Sequence, residues 1–374
     1  MNVDPPFTPI VIVSYRTADD VAACLTSLDA LQTEPTIIVY ICENGGGAAW
    51  NDLCTTLVRP DGACTPAEDL SLPFRHDFNR IACLRLRQSG RSVLVGGAPE
   101  NLGYSGGINA WLMPLMRYPG WHGCWILNPD TLVAPDALTA LMVQAVNRNL
   151  GMVGSRLIAT PLATRIINRG LHWRPVLAST SAVDQNALAS FEPDPEATEA
   201  LLDAPSGASL YLTRSCAEAL VPLDERYFLY FEDIDWGVRA RLAGFRLGYA
   251  HNSVVIHPGG RSLGSGSSDF VGSPLAIYLQ FRNRLLFVRT HYPRWWGWTA
   301  LMSSLHALRL LPRGGFGIAA RGLLAGLRGE TGRPGRLIAR HHIPGSRHAP
   351  GSGVTIASPS RLNRAPDGQP DVRP

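Results

Sequence analysis

No two cysteines in this chain are spaced C-x-x-C, although it has seven: Cys24, Cys42, Cys54, Cys64, Cys83, Cys124 and Cys216. That argues against zinc ribbons and redox dithiols, and several of the seven sit in apolar runs where they read as small core residues. No apolar run approaches the length of about 18 residues that a spanning helix needs, so none is predicted. The N-terminus, MNVDPPFTPI, has neither a basic region nor a long apolar stretch. No signal peptide is therefore expected, and a reducing cytoplasmic location follows. Nucleic-acid recognition motifs are missing, and a net charge of +4 is too small to suggest nucleic acid as a partner.

What is there fits a folded protein. The chain has 374 residues, of which 45% are hydrophobic and 17% charged, enough for a full core in one large domain with appendages or in two domains. Its basic residues are arginines, whose planar fork binds pyrophosphates, anionic headgroups and carboxylates bidentately.

Pro9 to Ser14 (PIVIVS) reads as a buried strand, and Val21, Leu25, Leu28 and Leu31 recur at helical spacing behind Asp19 and Asp20. A second strand, Ile37 to Cys42, ends at Glu43-Asn44 and the turn Gly45 to Gly47. This is β–α–β, opening at the strand end where ligands of open α/β sheets bind. Ala48 to Arg91 reads as an embellished connection with a helix or two, and Ser92 to Gly96 as a third strand. Next comes the glycine-rich GGAPENLGYSGGINAWL. Asn101, Gly103, Gly106, Gly107 and Asn109 mark a loop whose amides can approach a phosphate or sugar at a helix start. It lacks the G-x-G-x-x-G spacing of a dinucleotide fingerprint.

Trp125 to Leu127 forms a fourth strand running into Asn128-Pro129-Asp130, which presents Asp130 at the ligand edge. A carboxylate there is a candidate ligand for a hard divalent cation; taken alone, a turn aspartate bonded to nearby amides is the plainer reading. Pro135 starts an amphipathic helix. Residues 151 to 200 read as irregular strands with a polar, acidic loop. Downstream lies DERYFLYFEDIDWGVRARLAGFRLGYAHNSVVIH, with Glu232, Asp233 and Asp235 wrapped by Phe228, Tyr230, Phe231 and Trp236. Such wrapping desolvates a carboxylate, raises its pKa and readies it for proton transfer. Arg239 and Arg241 lie on the helix that follows, which ends at Gly244, and a strand delivers His257 at its end as a candidate metal ligand.

Five ordered segments, VIVSYRTADDVAACLTSL, the strand ending ENGGG, ENLGYSGGIN, WILNPDT and the run from SGASLYLTRS to NSVVIH, span residues 9 to 258. By these the chain resembles inverting glycosyltransferases of family 2, in their bacterial rhamnosyltransferase-like branch. The resemblance implies the α/β GT-A fold, a Rossmann-like, mixed but mostly parallel sheet flanked by helices. It implies that Asp130 binds Mg2+ or Mn2+ with the donor's pyrophosphate, assisted by His257. Asn128 stands where the family's metal motif has its first acid, and Glu43 where the family has a base-binding aspartate. Asp233 matches the catalytic base, with Glu232 and Asp235 its acidic neighbours. Glu43, Asn44, Asn101, Gly103, Gly106, Gly107, Asn109, Asn128 and Arg239 are the expected donor contacts.

The expected reaction moves a sugar, rhamnose first, from a nucleotide-diphosphate donor to a hydroxyl of a glycan or polyprenyl-linked acceptor. The catalytic domain is placed at 1–258. Residues 259–330 are an extension, beginning with a Gly/Ser stretch (259–272) that suits a lid or a plain linker. Residues 331–374 are expected to be a disordered tail. Within the extension, Pro274 to His291 reads as a helix. Arg294, Trp295, Trp296 and Trp298 with later leucines and arginines suit a helix lying on the inner face of the cytoplasmic membrane, or equally a helical layer packed on the domain. Two other functions compete. A sugar-phosphate nucleotidyltransferase would want glycines after the first strand, where Ser14-Tyr15-Arg16-Thr17 has none. A catalytically degenerate, membrane-associated sugar-binding scaffold would show no donor hydrolysis.

Overall fold

The computed structural model describes residues 6–32, 36–67, 76–258 and 273–335. Contacts join Met1–Gly335 into one compact unit. The Gly/Ser stretch 259–272, read as a lid or a plain linker, and the tail beyond residue 335 lie outside the described residues.

The chain begins β1 (Phe7–Ser14), α1 (Ala18–Asp29), β2 (Thr36–Glu43), α2 (Gly47–Val58), β3 (Cys64–Pro66), β4 (Arg80–Leu86) and β5 (Ser92–Gly97). It continues through α3 (Gly103–Met116), β6 (Gly123–Leu127), β7 (Leu132–Val133), α4 (Ala137–Asn147) and β8 (Met152–Ile158). An insertion follows, made of the hairpin β9 (Leu171–Arg174) and β10 (Ser179–Ala182) and the short α5 (Pro195–Leu201). Then come β11 (Ser209–Thr213), α6 (Arg214–Leu220), α7 (Glu232–Leu242) and β12 (Leu247–Ile256). Three helices close the described chain: α8 (Pro274–His291), α9 (Trp296–Leu308) and α10 (Phe316–Arg328).

Ten strands form one sheet in the order β3-β4-β5-β2-β1-β6-β11-β8-β12-β7. From the pairings, β3, β5, β2, β1, β6, β8 and β12 run one way, and β4, β11 and β7 the other. The sheet is therefore mixed but mostly parallel, as the sequence leads one to expect. All eight residues of β1 are buried because helices cover both faces of the sheet, which is why its sequence is an unbroken apolar run. Ile10 and Ile12 point into a core with Val21, Leu25 and Leu28 of α1 and Leu138 and Leu141 of α4. Val11 and Val13 point the other way, onto Ile108 and Leu112 of α3 and Trp236 of α7. Each fully buried aliphatic side chain of this kind contributes about 1.5–3 kcal/mol relative to exposure. The seven cysteines are free, and all but Cys83 are buried. Burial pushes the Cys24 thiol up to about 12, which suits a packing role.

Three regions depart from expectation. Met152–Ile158, expected to be irregular, is a central strand paired with β11 and β12; Gly154, Ser155 and Arg156 break its apolar pattern and hide it. Arg80–Leu86 extends the sheet as β4 inside what reads as a loose connection. The helix after residue 273 has the expected bounds but is buried nearly all round, with Leu286, Phe287 and Val288 packed on Tyr227, Phe231 and Ile234. It packs there on α7 and the loop that leads into it.

Candidate active site

Strand direction decides where the functional side chains meet. β1, β2, β6 and β12 all finish at one edge, where they deliver Ser14, Glu43, Asn128–Asp130 and His257; β11 runs the other way and starts there, after Gly207 and Ala208. The glycine loop after β5 and the acidic start of α7 reach the same edge.

On the donor side, Glu43 is buried and bonded inward. Ser14 Oγ donates to its Oε2 at 2.6 Å, and the amides of Arg16 and Gly45 donate to Oε1 at 3.2 and 2.6 Å. One carboxylate thus organises the loops after β1 and β2. Asn44 Nδ2 donates to Gly103 O at 2.8 Å, and its Oδ1 accepts from Leu102 N at 3.3 Å, tying β2 to the start of α3. Asn101 Oδ1 accepts from Gly103 N at 3.0 Å.

The glycines do packing work. Gly103 has φ +75°, and a Cβ there would lie 2.3 Å from Phe228 O. A Cβ on Gly107 would lie 2.7 Å from the Val13 side chain, so glycine lets α3 approach β1. Gly106 lies against Leu102, with Glu225 beyond. Asn109 is buried and held by the loop before α7: Nδ2 donates to Leu223 O and Glu225 Oε1, and Oδ1 accepts from Leu223 N.

On the metal side, a short ladder does the positioning. β7 pairs with β12 in the register Ile256↔Leu132, which carries Asp130 next to His257. His257 Nε2 lies 3.3 Å from Asp130 Oδ1. The pair lacks hydrogen-bond geometry, and that buried oxygen has no donor. An unbonded carboxylate oxygen costs free energy where it stands, and a cation beside it would remove the cost. Among the described residues no group of three acidic, histidine or cysteine side chains forms a complete metal site.

Above these, α7 begins after Phe228, Tyr230 and Phe231, whose φ values are 65°, 68° and 73°. Left-handed backbone costs bulky residues on the order of 1–3 kcal/mol each, so their neighbours must hold them. Asp233 is half-buried beside Gly207, and its Oδ1 accepts from Ile234 N at 2.8 Å. Desolvation raises its pKa, against the lowering effect of backbone hydrogen bonds. Glu232 is buried with an unbonded Oε2. Burial first, then the charge of Asp233, pushes it well above the usual carboxylate range. Asp235 lies about 200° round the helix from Asp233. It accepts from Tyr227 Oη at 3.1 Å and pairs with His291 Nε2 at 2.7 Å, so it anchors α7 to α8. Arg239 shares that far face. It donates to Leu220 O at 2.6 Å and lines a cleft of about 650 Å³ with Asp235, His291 and the Leu223–Glu225 segment that holds Asn109.

One side chain absent from the predicted set stands at the centre. Tyr104, inside the glycine loop, places its hydroxyl 2.9 Å from Asn128 Oδ1 and 3.0 Å from Gly207 O, and its ring stacks on Trp236. Its pKa is raised by burial and by the charges of Glu232, Asp233 and Asp130. A single phenol thus feels the carboxylates of both the β6 end and the α7 start. Its tyrosine among glycines was the signal in the sequence.

No family model matches the chain. An N-acetylglucosaminyl-diphospho-decaprenol L-rhamnosyltransferase of Mycobacterium tuberculosis is 26% identical over 312 residues, covering 77% of this chain and 86% of that protein. A low-salt glycan biosynthesis hexosyltransferase of Haloferax volcanii is 23% identical over 249 residues, covering 63% and 76%. Among solved structures, a mannosyltransferase of Pyrobaculum calidifontis in complex with GDP-Man and Mn2+ aligns with a TM-score of 0.44 and 12% identity, over 91% of this chain and 80% of that one. That likeness is too distant to carry an argument. The sequence match to the mycobacterial protein is too long to rest on one motif, and both relatives to which the chain is similar are sugar transferases by name.

Proposed function

We propose that the chain is an inverting rhamnosyltransferase that takes the sugar from dTDP-rhamnose and passes it to a hydroxyl of a lipid-linked glycan acceptor. The observation that carries this is that the Tyr104 hydroxyl bridges the turn bearing Asp130, at Asn128 Oδ1, and the Gly207 carbonyl beside Asp233, at one sheet edge. The identity of sugar and acceptor rests on the relative whose name specifies an L-rhamnosyltransferase on a decaprenyl-diphosphate-linked acceptor.

Asp233 is the base. It takes the proton from the acceptor hydroxyl as that oxygen bonds to the anomeric carbon, while the bond from that carbon to the donor's phosphate oxygen breaks. A single displacement inverts configuration and needs no enzyme nucleophile. Burial and the neighbouring carboxylate hold Glu232 well above the usual carboxylate range, whereas backbone hydrogen bonds oppose the rise at Asp233, the carboxylate left to act as base. Tyr104 and Asn128 line the space between base and donor. Glu43, Asn44 and Asn101 hold the donor loops in shape. Asp130 and His257 would hold a divalent ion, and the unbonded Asp130 oxygen suits one. Such an ion, when bound, neutralises charge on the departing diphosphate.

The acceptor suggests a membrane surface. Trp295, Trp298, Leu301, Leu305, Leu308 and Leu311 are exposed along α9 and its flanks. Trp298 Nε1 donates to Val176 O at 2.8 Å, so the exposed Val176 and Leu177 of the β9–β10 hairpin join the same surface. From Ser273 to Gly329 the sequence has no acidic residue, and Arg294, Arg309, Arg313, Arg321 and Arg328 are exposed there. Tryptophan, leucine and arginine together suit anionic lipid headgroups. No helix among the described residues is long and apolar enough to cross a membrane.

The test is turnover of dTDP-rhamnose by purified protein with Mn2+ and a synthetic polyprenyl-diphosphate-linked N-acetylglucosamine, with the product's anomeric configuration read by NMR. Retention of configuration, or transfer only from other donors, would reject the assignment.

A further inference from the structure

We infer that Asn283, in the middle of α8, is a positioning residue for the base, holding the loop that seats both the acidic helix and the glycine loop. This rests on the assignment of Asp233 as base. Asn283 is fully buried. Its Nδ2 lies 2.9 Å from Tyr227 O, 2.8 Å from Leu229 O and 2.7 Å from Tyr230 O, two hydrogens shared among three carbonyls. Its Oδ1 accepts from Arg282 Nε at 2.9 Å. A guanidinium has no acceptor, so that bond fixes which way the amide points. Arg282 adds Nη2 to Tyr227 O at 2.9 Å and Nη1 to Gly332 O at 2.6 Å.

The segment gripped in this way contains the left-handed Phe228, Tyr230 and Phe231. Bulky residues adopt that backbone only when their surroundings dictate it. The same segment accepts Tyr104 N at Phe228 O, 2.7 Å, and Gly103 lies directly against that carbonyl. On its other side it runs straight into Glu232 and Asp233. One amide on α8 therefore sets the spacing between the loop that faces the donor and the carboxylate that faces the acceptor. A displacement of about 1 Å in such a constellation costs roughly 10²-fold in rate.

The experiment compares wild type with Asn283→Asp, which keeps the shape and the acceptor for Arg282 but removes the donors. A second variant, Arg282→Met, leaves Asn283 in place with its Oδ1 unbonded. Steady-state kinetics use dTDP-rhamnose and Mn2+ across a pH series, with circular dichroism to measure the folded fraction. Asn283→Asp is expected to lower kcat by about 10²-fold while the donor KM stays within about threefold. The acid limb of its kcat–pH profile should move, because the base loses its desolvated seat. Arg282→Met should show the same pattern, weaker. Loss of activity in proportion to the folded fraction, with an unchanged pH profile, would overturn the inference. So would failure of both variants to fold, which would make Asn283 a folding residue. Asp233→Asn in the same assay separates the two claims: normal turnover there removes the base assignment itself.

Discussion

The Tyr104 hydroxyl lies 2.9 Å from Asn128 Oδ1 and so links the glycine loop to the turn that carries Asp130. Its alternative acceptor, Gly207 O, is beside Asp233. Tyr104→Phe leaves both half-buried acceptors without that donor, a loss of about 0.5–1.5 kcal/mol. The expected result is a drop of up to roughly tenfold in kcat/KM with the fold intact. Unchanged kinetics would remove the phenol from the site.

Asp233→Asn should abolish transfer and leave dTDP-rhamnose binding largely as in wild type. The amide keeps the shape but cannot take a proton at neutral pH. Isothermal titration for binding and product formation for turnover read the two quantities separately, and near-normal turnover contradicts the role of base.

Glu232 should make stability depend on pH. Its folded pKa is raised, so the stabilisation from its protonated form is complete below the unfolded value of about 4.3 and is lost as pH rises through the folded value. Glu232→Gln removes that dependence. Its melting temperature should exceed wild type at pH 8 and approach it as pH falls below about 4. The rate follows the other carboxylate. With Asp233 also raised, kcat should decline with acidification at a pH above the ordinary carboxylate range.

His257→Ala should weaken Mn2+ binding more than it weakens nucleotide binding measured without metal. Thermal shifts with dTDP plus and minus Mn2+ report this, since a ligand specific to the native state raises its apparent stability. Equal metal-dependent shifts in wild type and variant would exclude His257 as a ligand.

Leu301→Glu with Leu305→Glu changes two exposed side chains on α9, neither of them among the expected site residues. The double variant should lose co-sedimentation with phosphatidylglycerol vesicles and keep its turnover of dTDP-rhamnose in solution. Wild-type binding should weaken as salt is raised, because the arginine contribution is screened. Equal vesicle binding by both proteins would rule out this face.

The sequence by itself determined the parallel half of the sheet. β1, β2, β5 and β6 are buried on both faces, so their apolar runs and the turns after them could be read directly. It also determined which polar residues follow strand ends, because Glu43, Asp130 and His257 are placed by local chain direction alone. Only the tertiary structure decided which of these residues meet. The register Ile256↔Leu132 sets His257 beside Asp130 across more than a hundred residues of chain. The turn of α7 sends Asp233 toward Gly207 and Asp235 toward His291, although the two are neighbours in sequence. Arg239 and Asn109 carry the right chemistry for a donor contact, yet the structure commits both to backbone carbonyls in the chain leading into the acidic loop. Asn283 could not be singled out beforehand, because its partners are main-chain carbonyls that carry no side-chain signature. Spacing along the chain reports local geometry; long-range hydrogen bonds and strand register are fixed only when the layers pack.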